Sequence, residues 1–201
     1  MKLFFSPTSP YVRKVMICAH ELGLADQIVL LAAKASPVDR DKSIVEKNPL
    51  GKVPTLVTNA GLALYDSRVI CEYLNDLGKG NLFPKEESHK WEAITMQSLG
   101  DGLLDAALLA RYETFLRPKE LCWNEWVNGQ LEKIHSALNY FESNSHSDSF
   151  HIGQITLACA LGYLDLRYAH LEWRKAHPKL KAWFEEIGTR ESVKKEWSLP
   201  A

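Results

Sequence analysis

The sequence predicts an α/β domain over residues 1–78, a linker over 79–88 and an all-helical domain over 89–201. In the first segment, short apolar runs typical of buried strands alternate with helical patterns. This order favours helices packed on a mixed sheet. After the linker, helical periodicity continues without a convincing strand. The linker itself is polar and rich in turn-forming residues.

The first domain is expected to contain four strands and two helices. A short strand over 2–5 leads into a helix over 11–23, where Gly23 is the glycine that commonly follows a helix end. The apolar run over 27–33 is typical of a strand in a sheet that is covered on both faces. The remaining elements are a strand over 53–58, its hairpin partner over 62–65 and a helix over 66–78.

The second domain is expected to contain four helices. Before the third helix, a polar loop covers 143–149, His151 occupies the N-cap position and Gln154 lies three residues on. Glutamine can complete a capping box, but histidine is an unfavourable N-cap, so this helix start is expected to be less stable. The predicted helices span 89–112, 119–143, 153–168 and 178–188.

Composition and charge argue against several classes of protein. The chain has 201 residues, 46% of them hydrophobic, which is enough for a substantial core. A net charge of -1 disfavours nonspecific binding to nucleic acid or to an acidic membrane surface. No apolar run approaches the ~20 residues that span a bilayer, and residues 1–20 lack the apolar stretch of a signal peptide. We therefore expect a cytoplasmic protein with no nucleic-acid or membrane partner.

The cysteines and histidines suggest neither a disulfide framework nor a metal site. No C-x-x-C pair occurs, and the 7 histidines show no paired ligand spacing. Reduced, buried thiols and no bound metal are expected. The cysteines are Cys18, Cys71, Cys122 and Cys159.

The segment SPTSPYVRK (6–14) places several hydroxyls where a strand leads into a helix. Ser9 is expected at or just before the helix start, where its hydroxyl and the helix dipole can stabilise a bound thiolate. Lowering a thiol pKa from ~8.5 by about two units requires ~2.7 kcal/mol. One hydrogen bond to a charged acceptor contributes ~1.5–3 kcal/mol, so the two groups suffice. Ser6 remains an alternative for this role, while Thr8 is expected to shape the turn.

The segment NPLGKVPTLV (48–57) puts Pro54 at the predicted start of a strand. One interpretation is an ordinary trans proline entering an edge strand. The other is a cis Val53–Pro54 bond that exposes the N–H and C=O of Val53 to an extended ligand, which would pair like an added strand.

The segment YDSRVICEYL (65–74) puts Asp66 and Ser67 at a helix start. Simple N-capping explains such a pair. A binding site is the alternative, because free backbone N–H groups and the dipole attract an anion while Asp66 can accept an ammonium group.

Taken together and in this order, these segments resemble the cytosolic glutathione S-transferases, and most closely the bacterial branch with an active-site serine. The resemblance spans nearly the whole chain and implies a thioredoxin-like first domain, within the glutathione transferase fold. The matching segments are SPTSPYVRK (6–14), NPLGKVPTLV (48–57), YDSRVICEYL (65–74) and LACALGYLDLR (157–167).

The resemblance implies that the first domain binds glutathione, the co-substrate. Ser9 matches the catalytic residue that contacts the sulfur. Val53 matches the residue whose backbone pairs with the cysteinyl part, and Pro54 matches the cis-proline. A serine in place of a cysteine cannot form a mixed disulfide, so thiol-transferase chemistry is disfavoured.

The two ends of glutathione have their own expected contacts. Asp66 and Ser67 match the pair that binds the γ-glutamyl end. Lys52 lies beside the path of the ligand and can reach the glycyl carboxylate. Lys34 and Arg40, in the preceding loop, are alternatives for that contact.

The resemblance also implies a site for the electrophile between the domains. Leu104, Leu108 and Tyr112 are candidates to line it, although a core stripe that contacts the other domain explains them as well. A two-fold homodimer is expected as well, which sedimentation would test.

The function implied is that of a glutathione transferase in detoxification, which activates the glutathione thiol for attack on an apolar electrophile. The alternative is a non-catalytic binding or regulatory protein that keeps the same fold. Isomerase, dehalogenase and ether-cleaving reactions also stay open, because substrate choice depends on side chains of the helical domain that one sequence does not decode.

Overall fold

The computed structural model describes residues 1–144 and 149–197. They form two compact units. The first combines Met1–Lys90 with the described residues from Arg190 onward, and the second is Trp91–Thr189. The predicted order of an α/β domain followed by a helical domain is confirmed. Among the described residues, no helix has the length and apolar character needed to cross a membrane.

Four strands and nine α-helices occur in the described residues, together with short 3-10 turns and one π-helical segment. The strands are β1 (Lys2–Phe5), β2 (Val29–Ala32), β3 (Thr55–Val57) and β4 (Ala63–Leu64). The helices are α1 (Pro10–Glu21), α2 (Lys42–Val45), α3 (Ser67–Leu77), α4 (Glu87–Arg111), α5 (Asn124–Ser143), α6 (Ile152–Arg167), α7 (Trp173–Ala176), α8 (Pro178–Ile187) and α9 (Glu191–Trp197).

The sheet has the strand order β2-β1-β3-β4. β1 is parallel to β2 and antiparallel to β3, and β3 is antiparallel to β4. β1 and β4 therefore point in the same direction. The register pairs Phe4 with Thr55, the first residue of β3, and Leu64, the last residue of β4, with Leu56. The end of β1, the start of β3 and the end of β4 consequently lie at one end of the sheet.

The core of the first unit lies between this sheet and the pair of helices α1 and α3, which pack against each other. Apolar side chains from both layers are fully buried, and each such side chain stabilises the fold by ~1.5–3 kcal/mol. The largest contributions come from Leu3, Ile17, Leu56, Ile70 and Leu74.

The prediction that the second strand is covered on both faces is wrong. β2 lies at the edge of the sheet, with Val29 58% and Leu30 39% exposed. It is also shorter than predicted, because residues Ala25–Gln27 form a 3-10 turn. An apolar run indicates strand character, but it does not say how many neighbours the strand has.

The last helix, α9, packs on α1 and belongs to the first unit. The predicted division at residue 89 assigned this segment to the helical domain. Arg190 Nη2 lies 2.8 Å from the Glu21 carboxylate, and the Arg13 guanidinium lies 6.0 Å from the centre of a Trp197 ring. These contacts join positions far apart in the sequence, and no local pattern indicates them.

In the second unit, α4 and α6 approach closely at a glycine. A Cβ on Gly153 would lie 2.7 Å from Met96 Cβ and 2.8 Å from the Ala93 carbonyl oxygen, both shorter than van der Waals contact. Just before it, His151 caps α6, because its Nδ1 accepts a hydrogen bond of 3.1 Å from the Gly153 N–H. The imidazole therefore serves as the N-cap of α6, although histidine was expected to be unfavourable at this position. Most of the loop predicted before it lies outside the described residues.

Gly153→Ala is expected to destabilise the protein by ~1–3 kcal/mol, because the added methyl group overlaps the α4 backbone. The matched control is Gly102→Ala in α4, where an added Cβ meets nothing within 4 Å. There alanine is the better helix former by up to ~1 kcal/mol. Thermal unfolding, followed by circular dichroism, should show a lower midpoint for Gly153→Ala than for wild type and no such decrease for Gly102→Ala. Equal midpoints for wild type and Gly153→Ala would contradict the close packing.

Candidate functional site

The sheet topology brings the three predicted motifs of the first unit together. Ser9 lies on the turn after β1, Pro54 immediately precedes β3, and Asp66 follows β4. Since those three strand ends share one end of the sheet, the two helix starts and the segment before β3 are neighbours. Ligands of α/β folds commonly bind where strands end and helices begin.

Ser9 is the N-cap of α1, as predicted. Its Oγ accepts a hydrogen bond of 3.3 Å from the Val12 N–H, and Pro10 occupies the first helical position. The first turn carries no acidic residue, so no carboxylate offsets the positive end of the helix dipole. The hydroxyl proton of Ser9 remains available to donate to an anion.

The turn before Ser9 is tied to α1 by Arg13. The Arg13 Nη2 donates to the Pro7 carbonyl oxygen at 3.3 Å, and the side chain is only 8% exposed. This contact fixes the position of the Ser–Pro turn relative to the helix. Neither Ser6 nor Thr8 makes a side-chain hydrogen bond in the part of the chain that the structure describes.

The peptide bond Val53–Pro54 is cis, which decides between the two interpretations of this segment; Tyr65–Asp66 is cis as well. Within the described residues, the backbone N–H and C=O of Val53 have no hydrogen-bond partner. The preceding carbonyl, that of Lys52, accepts from Thr55 Oγ1 at 2.8 Å and from the buried Asn48 Nδ2 at 3.2 Å. Hydrogen bonds to the Lys52 carbonyl therefore fix the position of this segment, while the N–H and C=O of Val53 remain available to a ligand.

Asp66 caps α3. Its Oδ1 accepts from the Arg68 N–H at 3.0 Å, and its Oδ2 lies 2.7 Å from Arg68 Nη2. The Arg68 guanidinium, with a smaller contribution from Lys14, holds the pKa of Asp66 below its usual value. Asp66 is therefore ionised at neutral pH, and the side chain is 53% exposed.

Ser67 is the first residue of α3 and is only 2% exposed. Its hydroxyl has no hydrogen-bond partner among the residues that the structure describes. Because the first N–H groups of a helix also lack internal partners, this position offers several donors to an anion.

Two residues close to Asp66 were not predicted from the sequence as part of the site. Arg68 follows Asp66 by two positions, and an acid and a base so close at a helix start are a signal for a local ion pair. Lys14 is fully buried on α1. A lysine among apolar residues at helical spacing hints at burial, but its proximity to Asp66 depends on the packing of α1 on α3.

Three basic residues were predicted as candidates to contact the glycyl carboxylate, and they differ in the partners that their side chains already have. Lys34 forms an ion pair with Asp39, and the Arg40 guanidinium donates to a backbone carbonyl. Lys52 is exposed and makes no side-chain hydrogen bond or ion pair among the described residues. Lys52 is therefore the candidate whose charge is free for a ligand.

In the second unit, the three predicted lining residues differ in burial. Leu104 lies fully inside the core at 0% exposure, whereas Leu108 and Tyr112 are half-buried. Tyr112 begins the π-helical segment Tyr112–Leu116, which follows α4. Only Leu108 and Tyr112 therefore offer surface to a ligand.

Two family models match the chain. Glutathione S-transferase, N-terminal domain, matches residues 8–77, and Glutathione S-transferase, C-terminal domain, matches residues 124–186. The first match contains Ser9, Pro54 and Asp66, and the second contains all of α5 and α6.

Relatives are similar along nearly the whole chain. A glutathione transferase family member from Pseudomonas fluorescens Pf-5, solved with bound glutathione, is 45% identical, with 97% of each chain covered and a TM-score of 0.94. Another structure from this organism, with bound S-(propanoic acid)-glutathione, is 44% identical over 100% of each chain, with a TM-score of 0.91. The uncharacterized GST-like protein YibF of Escherichia coli K12 is 32% identical, covering 96% of each chain. With its thioredoxin-like and helical domains, this chain belongs to the glutathione S-transferase family.

Proposed function

We propose that this protein is a glutathione transferase that activates the glutathione thiol for attack on a small, largely apolar electrophile. The observation that carries the proposal is the Ser9 hydroxyl at the start of α1, beside the open Val53 backbone. One group suits a thiolate and the other suits the peptide to which that thiol is attached. The relatives with bound glutathione or its S-adduct support the choice of ligand.

The first unit offers a partner for each part of glutathione. The N–H and C=O of Val53 pair with the cysteinyl backbone. Ser67 and the first N–H groups of α3 bind the γ-glutamyl carboxylate, and Asp66 accepts its ammonium group. Lys52 pairs with the glycyl carboxylate. The zwitterionic end and the peptide thus meet groups of the required charge and direction.

Ser9 acts on the sulfur itself. Its hydroxyl donates a hydrogen bond to the thiolate, and the N-terminus of α1 adds the favourable field of its dipole. The thiol proton leaves to solvent, and the sulfur then attacks the electrophile. Because a hydroxyl forms no mixed disulfide with glutathione, Ser9 supports transfer rather than disulfide exchange.

Ser67→Ala is expected to weaken glutathione binding by ~1.5–3 kcal/mol, since a hydrogen bond to a charged carboxylate is lost. Ser88→Ala, which removes an exposed hydroxyl bonded to Glu86, is the matched control. Titration calorimetry should show a larger dissociation constant for glutathione in Ser67→Ala, and an unchanged one in Ser88→Ala. Equal affinities for wild type and Ser67→Ala would refute the assigned contact.

Ser9→Ala is expected to lower the rate of transfer to a model electrophile and to leave glutathione affinity nearly unchanged. This pattern identifies a group that acts on the reactive anion rather than on ground-state binding. Ser9→Thr keeps both the hydroxyl and the N-cap and should retain much of the rate. Steady-state kinetics and calorimetry on the same preparations separate the two effects.

Ser6→Ala and Thr8→Ala serve as controls in that experiment, because both hydroxyls lie on the same turn. A rate loss in Ser6→Ala but not in Ser9→Ala would transfer the role to Ser6. A wild-type protein that binds glutathione but reacts with no electrophile in a broad panel would favour the non-catalytic binding protein instead.

A further inference from the structure

The last helix, α9, lies along α1 inside the first unit. At the C-terminal end of α1, the Glu21 carboxylate accepts from Ser192 Oγ and lies 2.8 Å from Arg190 Nη2. Near the other end of α1, the Arg13 guanidinium lies 6.0 Å from the centre of a Trp197 ring. The start of α9 therefore lies at the end of α1, and the two helices run in opposite directions.

The lengths of the two helices agree with this arrangement. The chain from Arg190 to Trp197 rises roughly 10.5 Å as a helix, and the chain from Arg13 to Glu21 rises roughly 12 Å. Thus α9 covers α1 from its C-terminal end back to its second turn. The last residue of α9 consequently reaches the part of α1 that follows the Ser–Pro turn.

Arg13 lies between α9 and the turn that carries the candidate catalytic hydroxyl. The arginine is only 8% exposed, and its Nη2 donates to the Pro7 carbonyl oxygen at 3.3 Å. The same turn closes two residues later, where the Ser9 N–H donates to the Ser6 carbonyl at 3.0 Å. A continuous set of contacts therefore leads from Trp197 through Arg13 to the turn of Ser9.

Stability alone does not explain an arginine at this position. Its Nε is buried without a hydrogen-bond partner, and it forms no ion pair with a carboxylate of the described residues. Glu196, the buried acid next to Trp197, lies 3.3 Å from His20 Nε2 instead. Burial raises the pKa of Glu196 to about 7, against the charge of Arg13, so part of this acid is uncharged at neutral pH. A buried cation with incomplete partners opposes folding, but it supplies a donor directed at the turn.

We propose that α9 positions the Ser9 hydroxyl for the thiolate, through Trp197, Arg13 and the carbonyl of Pro7. This inference rests on the proposed function and adds two positioning residues to it. Arg13 and Trp197 act through the turn rather than on the sulfur.

The geometry of hydrogen bonds explains why such support matters. A hydrogen bond from a hydroxyl to an anion weakens steeply when its distance or angle changes. The Ser9 Oγ is held locally by one long bond, 3.3 Å from the Val12 N–H. A small displacement of the turn therefore reduces the stabilisation of the thiolate. It leaves the Val53 backbone and the start of α3 in place, so glutathione affinity should hardly change.

The first test measures the pKa of the bound thiol by its ultraviolet absorbance, together with kcat and glutathione affinity. Trp197→Ala and Arg13→Met should each raise this pKa by about one. At a pH below that value kcat should fall by up to about ten-fold, because the thiolate is scarcer, while affinity stays within about two-fold. Trp197→Phe and Arg13→Lys, which keep an aromatic face and a donor, should restore part of the effect. Trp126→Ala, which removes a partly exposed indole from α5, is the control and should change neither quantity.

A second test asks whether the effect passes through Ser9. In a Ser9→Ala background, Trp197→Ala should not raise the thiol pKa further, because the hydroxyl that α9 positions is already absent. An equal rise in both backgrounds would overturn the proposal. So would an unchanged thiol pKa and kcat in Trp197→Ala and Arg13→Met, provided that circular dichroism shows both variants to be folded.

A third readout needs neither glutathione nor an electrophile. Amide hydrogen exchange of residues 4–12, followed by mass spectrometry, should be faster in Trp197→Ala than in wild type or Trp126→Ala. If the wild-type thiol titrates like free glutathione but this exchange still depends on Trp197, thiol activation fails and the link from α9 to the turn stands. If the wild-type thiol is activated and Trp197→Ala changes neither the exchange nor the pKa, this inference alone fails.

Discussion

The directions of the strands determine where every other part of the first unit can act. Because β1 and β4 point the same way and β3 opposes them, the helices that follow β1 and β4 start beside the segment that enters β3. Two helix N-termini and one open stretch of backbone therefore lie at the same end of the sheet. Such an arrangement suits a ligand that carries an anion at two places and an extended backbone between them. The topology thus defines the kind of ligand before any side chain is considered.

Side chains then give each helix start its own chemistry. At α1, a single hydroxyl has two roles, since Ser9 accepts from the Val12 N–H and can donate to a bound anion. Each of these hydrogen bonds polarises the other, so the cap strengthens the donor. At α3, the carboxylate of Asp66 occupies the cap, and Arg68 keeps it ionised. The adjacent Ser67 is left without a partner in the described structure. One start therefore suits a thiolate, and the other suits a group that carries both charges.

Local signals in the sequence predicted where the helices start, but contacts between segments far apart in the sequence could not be predicted from it. Asp66 and Gly23 act on the residues directly beside them in the sequence, so the bounds of α1 and α3 lie within two residues of those predicted. The alternatives for Pro54 could not be separated, because the choice depends on the strand that follows. The exposure of β2 depends on which strand lies beside it. The burial of Lys14 and the packing of α9 on α1 depend on tertiary contacts.

The central claim is that the start of α1 stabilises the thiolate of bound glutathione, and the pKa of that thiol tests it most directly. Thiolate absorbance in the ultraviolet, followed against pH with saturating protein, measures this pKa. The account predicts an apparent value well below the ~8.5 of a free cysteine thiol. A bound thiol that titrates at the value of free glutathione would contradict it, because the first unit would then bind the peptide without acting on its sulfur.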